Sequence, residues 1–110
     1  MEAIFITVAE AKAQCNIEAT ETADDNLLAL YAAAAEATVL SQCNRSRLEA
    51  LDEYGPALPE ELKAAMLILV AQMYKYRELS TQDAINKVPG TYWALIAPHV
   101  KLSNRRLEDD

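Results

Sequence analysis

Four consecutive alanines, Ala32 to Ala35, stand in a chain that has twenty alanines and only two glycines. Alanine is the strongest helix former and a poor strand residue, so this excess directs the chain to an all-α fold. Gly55 and Gly90 are too few for the primed turns of a hairpin-rich β fold. They also cannot make a GxGxxG turn or a phosphate loop. At 110 residues the chain is one domain, able to bury about 65% of its extended-chain surface. Apolar residues make up 52% and charged ones 25%, a balance that excludes global disorder.

The formal net charge is −7, and it is uneven. Residues 1–40 carry seven acids and one base, and residues 41–110 carry ten acids and nine bases. Gripping a duplex requires clustered Lys and Arg, so the balance argues against a DNA-binding protein. It leaves room for a protein that DNA merely passes. Cys15 and Cys43 are far apart, with no CxxC and a single His, so no zinc framework is readable. Both fall in expected helix, where a free thiol behaves as a small hydrophobe, and a disulfide is not expected. Glu2 stands where a secretory signal would carry bases, so none is expected. The strongly apolar run Ala64–Ala71 is too short to span a bilayer.

The helix signals come in order. Thr7 three residues before Glu10 is a capping box, which predicts a helix from Val8 to about Asn16. Residues 17–23 read as a polar connector. Asp24 and Asp25 then oppose the positive end of a second helix, which should end near Cys43-Asn44. Its smooth alanine face suits close packing, inside one domain or against a second subunit. Residues 44–58 are left open, with one helical turn at Leu48–Leu51 and a break at Gly55-Pro56. Pro59, Glu60 and Glu61 open the best-defined helix, which should run to about Ser80. Leu62, Ala65, Met66, Leu69, Val70 and Met73 form its apolar stripe, and Leu67, Ile68, Ala71 and Tyr74 widen it. A helix apolar nearly all round is central or lies between neighbours. Residues 80–90 read as a loop, and Thr91 as the cap of a short last helix that Pro98 stops. The expected architecture is a small all-α bundle of about four helices over residues 1–100. One long alanine-rich helix packs on the central apolar helix. Residues 101–110 form a flexible charged C-terminal tail.

No residue pattern supports catalysis. His99 is the single imidazole, and Asp24-Asp25 and Glu60-Glu61 are helix-start pairs better explained by the dipole. No catalytic, cofactor-binding or metal-ligating residue is assigned. Tyr74 through Glu78 is the most distinctive polar cluster. Tyr74, Arg77 and Glu78 share a helical face and suit either a tether to the second helix or a subunit contact. Trp93 beside Tyr92 is an aromatic anchor for the core or for a partner.

The order of these signals resembles the head–tail connector family of long-tailed bacteriophages, the adaptor or DNA-packaging head-completion proteins. Thr7–Lys12 looks like the family's opening capped helix. Asp24–Leu28, Ala33–Glu36 and Cys43–Arg45 look like its acid-started, alanine-rich second helix. Leu58-Pro59, Ala65, Leu69–Ala71, Tyr74 and Arg77-Glu78 resemble its most recognisable segment. Val88–Gly90 and Ala94–Pro98 resemble its closing turn and helix. His99 and Val100 stand where the family pattern carries an aromatic and a base.

The resemblance implies a virion structural protein without enzymatic activity or cofactor, assembled in the host cytoplasm and placed at the head–tail junction. It implies a homo-oligomeric ring of about a dozen subunits, a heterologous interface that closes. Its partners would be the portal protein and a tail-completion or tail-terminator protein. DNA would pass through without specific binding, and no membrane is involved. Candidate subunit or portal contacts are Tyr74, Arg77, Glu78, Trp93, Lys101, Arg105 and Arg106. Candidate channel-facing acids are Glu18, Glu21, Asp24 and Asp25. The alternative from the residues alone is a small helical regulator, either helix-turn-helix or antitoxin-like. It lacks a basic recognition helix.

Overall fold

Thr7 begins the first helix as its spacing from Glu10 predicts. The computed structural model describes residues 3–55, 57–77 and 87–100. In it, α1 spans Val8–Gln14. The Thr7 hydroxyl accepts from the Glu10 N–H at 3.1 Å, and the Glu10 carboxylate accepts from the Thr7 N–H at 2.9 Å. α2 follows over Asp25–Gln42, with Asp24 preceding it.

Both helices end the same way. Asn16 and Asn44 take left-handed φ values of 60° and 61°. Asparagine tolerates this conformation better than most residues, and it reverses the chain. In α1 the Ile17 and Asn16 N–H groups return to the Lys12 and Ala13 carbonyls at 2.8 and 3.2 Å. In α2 the Arg45 and Asn44 N–H groups return to the Leu40 and Ser41 carbonyls at 2.8 and 3.0 Å. These paired bonds satisfy carbonyls that a helix end otherwise leaves open. They also stop α1 at Gln14, two residues short of the expected Asn16.

The segment left open by the sequence contains a helix. α3 spans Arg47–Tyr54, opened by a second capping box in which Ser46 and Glu49 bond reciprocally at 3.1 and 2.9 Å. Gly55 ends it at φ 62°, a conformation open to glycine but strained for other residues. Among the residues of α3, only Ala50 is buried, so the cap carries much of its stability. Ser46→Ala should lower the stability of the protein by about 1 kcal/mol, read as a shifted urea midpoint. An unchanged midpoint would show that α3 stands without its cap.

α4 spans Glu60–Lys75. Pro59 immediately precedes it, with extended ψ. The expected stripe is the core: Leu62, Ala65, Met66, Leu69, Val70 and Met73 are all buried. α4 ends at Lys75, earlier than the expected Ser80. Tyr76 leaves helical geometry at φ −113° and ψ 37°, and Arg77 folds back to bond the Tyr74 carbonyl at 2.6 Å. α5 spans Gly90–Ile96, so it starts one residue before the expected Thr91 cap, with Pro89 ahead of it. A 3₁₀ turn, Ala97–His99, contains Pro98 and closes the described chain.

The bundle is built around α4, which packs against α1, α2 and α5, while α3 packs on α2. The alanine face of α2 is used inside the domain: Ala32, Ala33 and Ala35 are buried beside Leu28, Val39 and Leu40. Each fully buried Leu, Val or Met contributes roughly 1.5–3 kcal/mol relative to exposure. Lys63 of α4 pairs with Glu10 of α1 across the surface. Partial burial pushes the Glu10 carboxyl up, but Lys63 and the Thr7 cap outweigh it and hold it below its ordinary range. A lowered carboxyl stabilises the fold above its unfolded pKa, and that contribution fades as pH falls through the folded value. No described helix is long and apolar enough to cross a membrane. Cys15 and Cys43 are both free, and burial raises the pKa of each thiol.

Candidate functional site

The polar interactions concentrate in three places. The first is Glu36, a carboxylate with no exposed surface in the middle of α2. A charge there is costly unless it is fully paired. Its two oxygens accept three successive backbone N–H groups, from Ile4 at 2.8 Å, Phe5 at 2.5 Å and Ile6 at 2.9 Å. Arg47 of α3 adds a guanidinium contact at 2.8 Å. One side chain therefore fastens the segment before α1 and the start of α3 to the same point of α2. Phe5 and Ile6 are buried by this docking, whereas Ile4 stays exposed.

The second place lies where the described chain ends. Arg45, just beyond α2, reaches Glu53 of α3 through Nε at 3.0 Å and Nη2 at 3.1 Å. This fork-on-carboxylate contact holds the guanidinium pKa above its ordinary value. The same side chain donates to the His99 carbonyl and lies 5.3 Å from the Tyr54 ring centroid. His99 in turn meets Glu61 at 2.9 Å. The Tyr92 hydroxyl bonds Gln42 at the end of α2, and burial pushes its pKa far up. Residues 97–100 are thus anchored beside the C-terminal end of α2 and the start of α4.

The third place is the opposite end, where α2 begins and α4 finishes. The Tyr74 hydroxyl donates to Asp24 at 2.6 Å, an internal tether of α4 to α2. The Arg77 guanidinium lies 4.3 Å from the centroid of the Tyr74 ring. Two more bases flank Tyr76: the ammonium of Lys75 lies 5.3 Å from its ring centroid and that of Lys87 lies 5.6 Å. Gln72 pins the Lys87 carbonyl to α4 at 2.9 Å.

The sequence candidates separate on this frame. Tyr74 and Arg77 meet at the end of α4, with Arg77 exposed and bonded to a carbonyl of its own helix. Trp93 is exposed by 48% and meets the buried Tyr92 edge-on, with centroids 4.9 Å apart. The aromatic pair is therefore split, with Tyr92 in the core and Trp93 on the surface. Glu78, Lys101, Arg105 and Arg106 lie outside the described residues, as does the rest of the tail. Of the four candidate acids, Asp24 holds Tyr74, and Asp25 pairs with the buried Lys12 at 2.9 Å. Glu18 and Glu21 stay exposed on the connector.

Sequence reasoning missed Glu36, Arg45 and Arg47. Glu36 did carry a signal. It follows Ala32 by four and precedes Val39 by three, so it falls on the buried stripe, where a charge demands partners. No group of three or more metal-ligating side chains occurs among the described residues. Exposed apolar side chains instead stand on separate elements: Leu30 on α2, Leu48 on α3 and Trp93 on α5.

One family model matches the chain, described as phage gp6-like head-tail connector protein, over residues 5–99. The match takes in every helix from α1 to α5 and the closing 3₁₀ turn. No curated protein and no solved structure shows significant similarity. The family is a structural one. With the match spanning the bundle end to end, the chain belongs to the phage gp6-like head-tail connector family.

Proposed function

We propose that this chain is one subunit of a closed ring at the head–tail junction of the virion. The ring sits between portal and tail, extends the DNA channel and presents the surface on which the tail docks. The observation that carries the reading is the family match over residues 5–99. Two physical features support it. The net charge of −7 disfavours binding of phosphate backbones, so DNA can slide past without being held. The exposed apolar side chains on different elements suit a heterologous interface, in which two unlike surfaces meet.

Residues 101–110 serve as a docking segment for the portal or a neighbouring subunit. They follow Val100, whose neighbour His99 is anchored to Arg45 and Glu61. Their mixed charge and lack of periodicity suit a segment that orders on binding. Deleting residues 101–110 should leave the helical circular-dichroism signal intact while abolishing incorporation into particles. Quantifying the chain in purified heads checks this, and normal incorporation of the truncated chain would refute it.

A further inference from the structure

We propose that the basic–aromatic cluster at the C-terminal end of α4 is a contact face for a second copy of this chain, whose connector supplies the opposing acids Glu18 and Glu21. The proposal rests on the ring reading above and names a contact that closes the ring.

The described Lys and Arg residues fall into two sets. Lys12, Arg45, Arg47 and Lys63 each pair with a carboxylate. Lys75, Arg77 and Lys87 have no carboxylate at ion-pair distance among the described residues, and all three are exposed. Their cationic groups lie beside the Tyr74 and Tyr76 rings, which hold them in place without neutralising them. In a chain of net charge −7, these three are the described cations left for an outside carboxylate.

The matching acids are on the same chain. Glu18 and Glu21 are exposed, and neither pairs with a base among the described residues. They also lie at the same end of the bundle as the cluster. The connector leads into Asp24, and Asp24 bonds Tyr74 in the last turn of α4, so connector and cluster share one end of the bundle. Neighbours in a ring are related by rotation about its axis. Surfaces at one height on a subunit therefore meet surfaces at the same height on the next. Asp52 and Glu60, which are also exposed, sit toward the opposite end, so with the ring axis along the bundle they do not meet the cluster. The alternative partner for the cluster, a nucleic-acid backbone, is poorly served by three bases in an acidic surround.

Charge reversal tests this with the full-length chain. Lys75→Glu with Lys87→Glu makes both faces acidic, and Glu18→Lys with Glu21→Lys makes both basic. All four positions are exposed, so helical content should not change, and circular dichroism verifies it. Assembly is followed by native mass measurement of the protein alone and with the cognate portal. Each double variant alone should need about tenfold or more protein to assemble, because like charges now face each other. A one-to-one mixture of the two should assemble as the wild type does, since acid and base alternate again around the ring. Wild-type assembly by both variants, or a mixture that stays deficient, would overturn the contact while leaving the ring reading in place. Loss of salt-dependent DNA binding by the lysine variant, with assembly intact, would assign the cluster to phosphate instead. A wild-type chain that never forms rings, alone or on the portal, would remove the ring reading itself and the contact with it.

Discussion

Glu36→Gln should destabilise the protein by about 3–5 kcal/mol, the range for breaking a buried charged pair by removing one partner. The substitution keeps the shape of the side chain. It replaces one acceptor oxygen with an NH₂ group that faces donors. The carboxylate serves the N–H groups of Ile4, Phe5 and Ile6 and the Arg47 guanidinium. A single amide oxygen cannot replace that set, and Arg47 loses its buried counter-charge. Domains of this size have only about 5–15 kcal/mol of stability in total, so the loss is severe. The melting temperature should fall by about 15 °C or more. The segment before α1 should loosen first, seen as faster hydrogen exchange at Phe5 and Ile6. A Glu36→Gln variant within about 1 kcal/mol of wild type would show that Glu36 is not the clasp described above.

Arg45→Ala should cost about 2–3 kcal/mol, the scale of several charge-assisted bonds lost together. The side chain ties three separate pieces: the end of α2, Glu53 on α3 and the His99 carbonyl. Its loss leaves the His99 carbonyl without that donor and frees α3 from the 3₁₀ turn. Exchange at Val100, whose N–H bonds Ala97 at 3.3 Å, should accelerate more than exchange in α4. Arg45→Lys should recover the charge but not the two-pronged contact with Glu53, and so only part of the stability. Unchanged melting and unchanged exchange at residues 97–100 would contradict this role.

The fold was legible wherever side chains carry their own local pattern. The Thr7–Glu10 box, the apolar stripe of α4 and the acids that start α2 all read correctly from spacing. α3 was harder. Ser46 and Glu49 repeat the same box, but the helix after it buries only Ala50, so its apolar period is too short to register. The end of α4 was misplaced because Tyr76 and Arg77 continue a helix-compatible composition. The stop is made by backbone geometry at Tyr76 and by the Arg77 bond to a carbonyl. The Glu36 clasp was invisible for a related reason. Three of its four partners are backbone N–H groups distant in the chain, and a backbone donor leaves no mark on the sequence. The aromatic pair shows the limit of composition: Tyr92 and Trp93 are adjacent, yet helical geometry sends one into the core and the other to the surface.

The family placement is that of a structural connector. The chain turns its alanine face and its α4 stripe into its own core. Glu36, Arg45 and Arg47 tie down the ends of the helices. What it leaves outward is an acidic connector, a basic–aromatic cluster and scattered apolar side chains. A ring subunit needs such unlike surfaces on its two sides.

The most direct test of the central claim is electron microscopy of the purified chain with its cognate portal complex. Closed rings stacked coaxially on the portal are the predicted result. A chain that stays monomeric and leaves the portal bare would contradict the account.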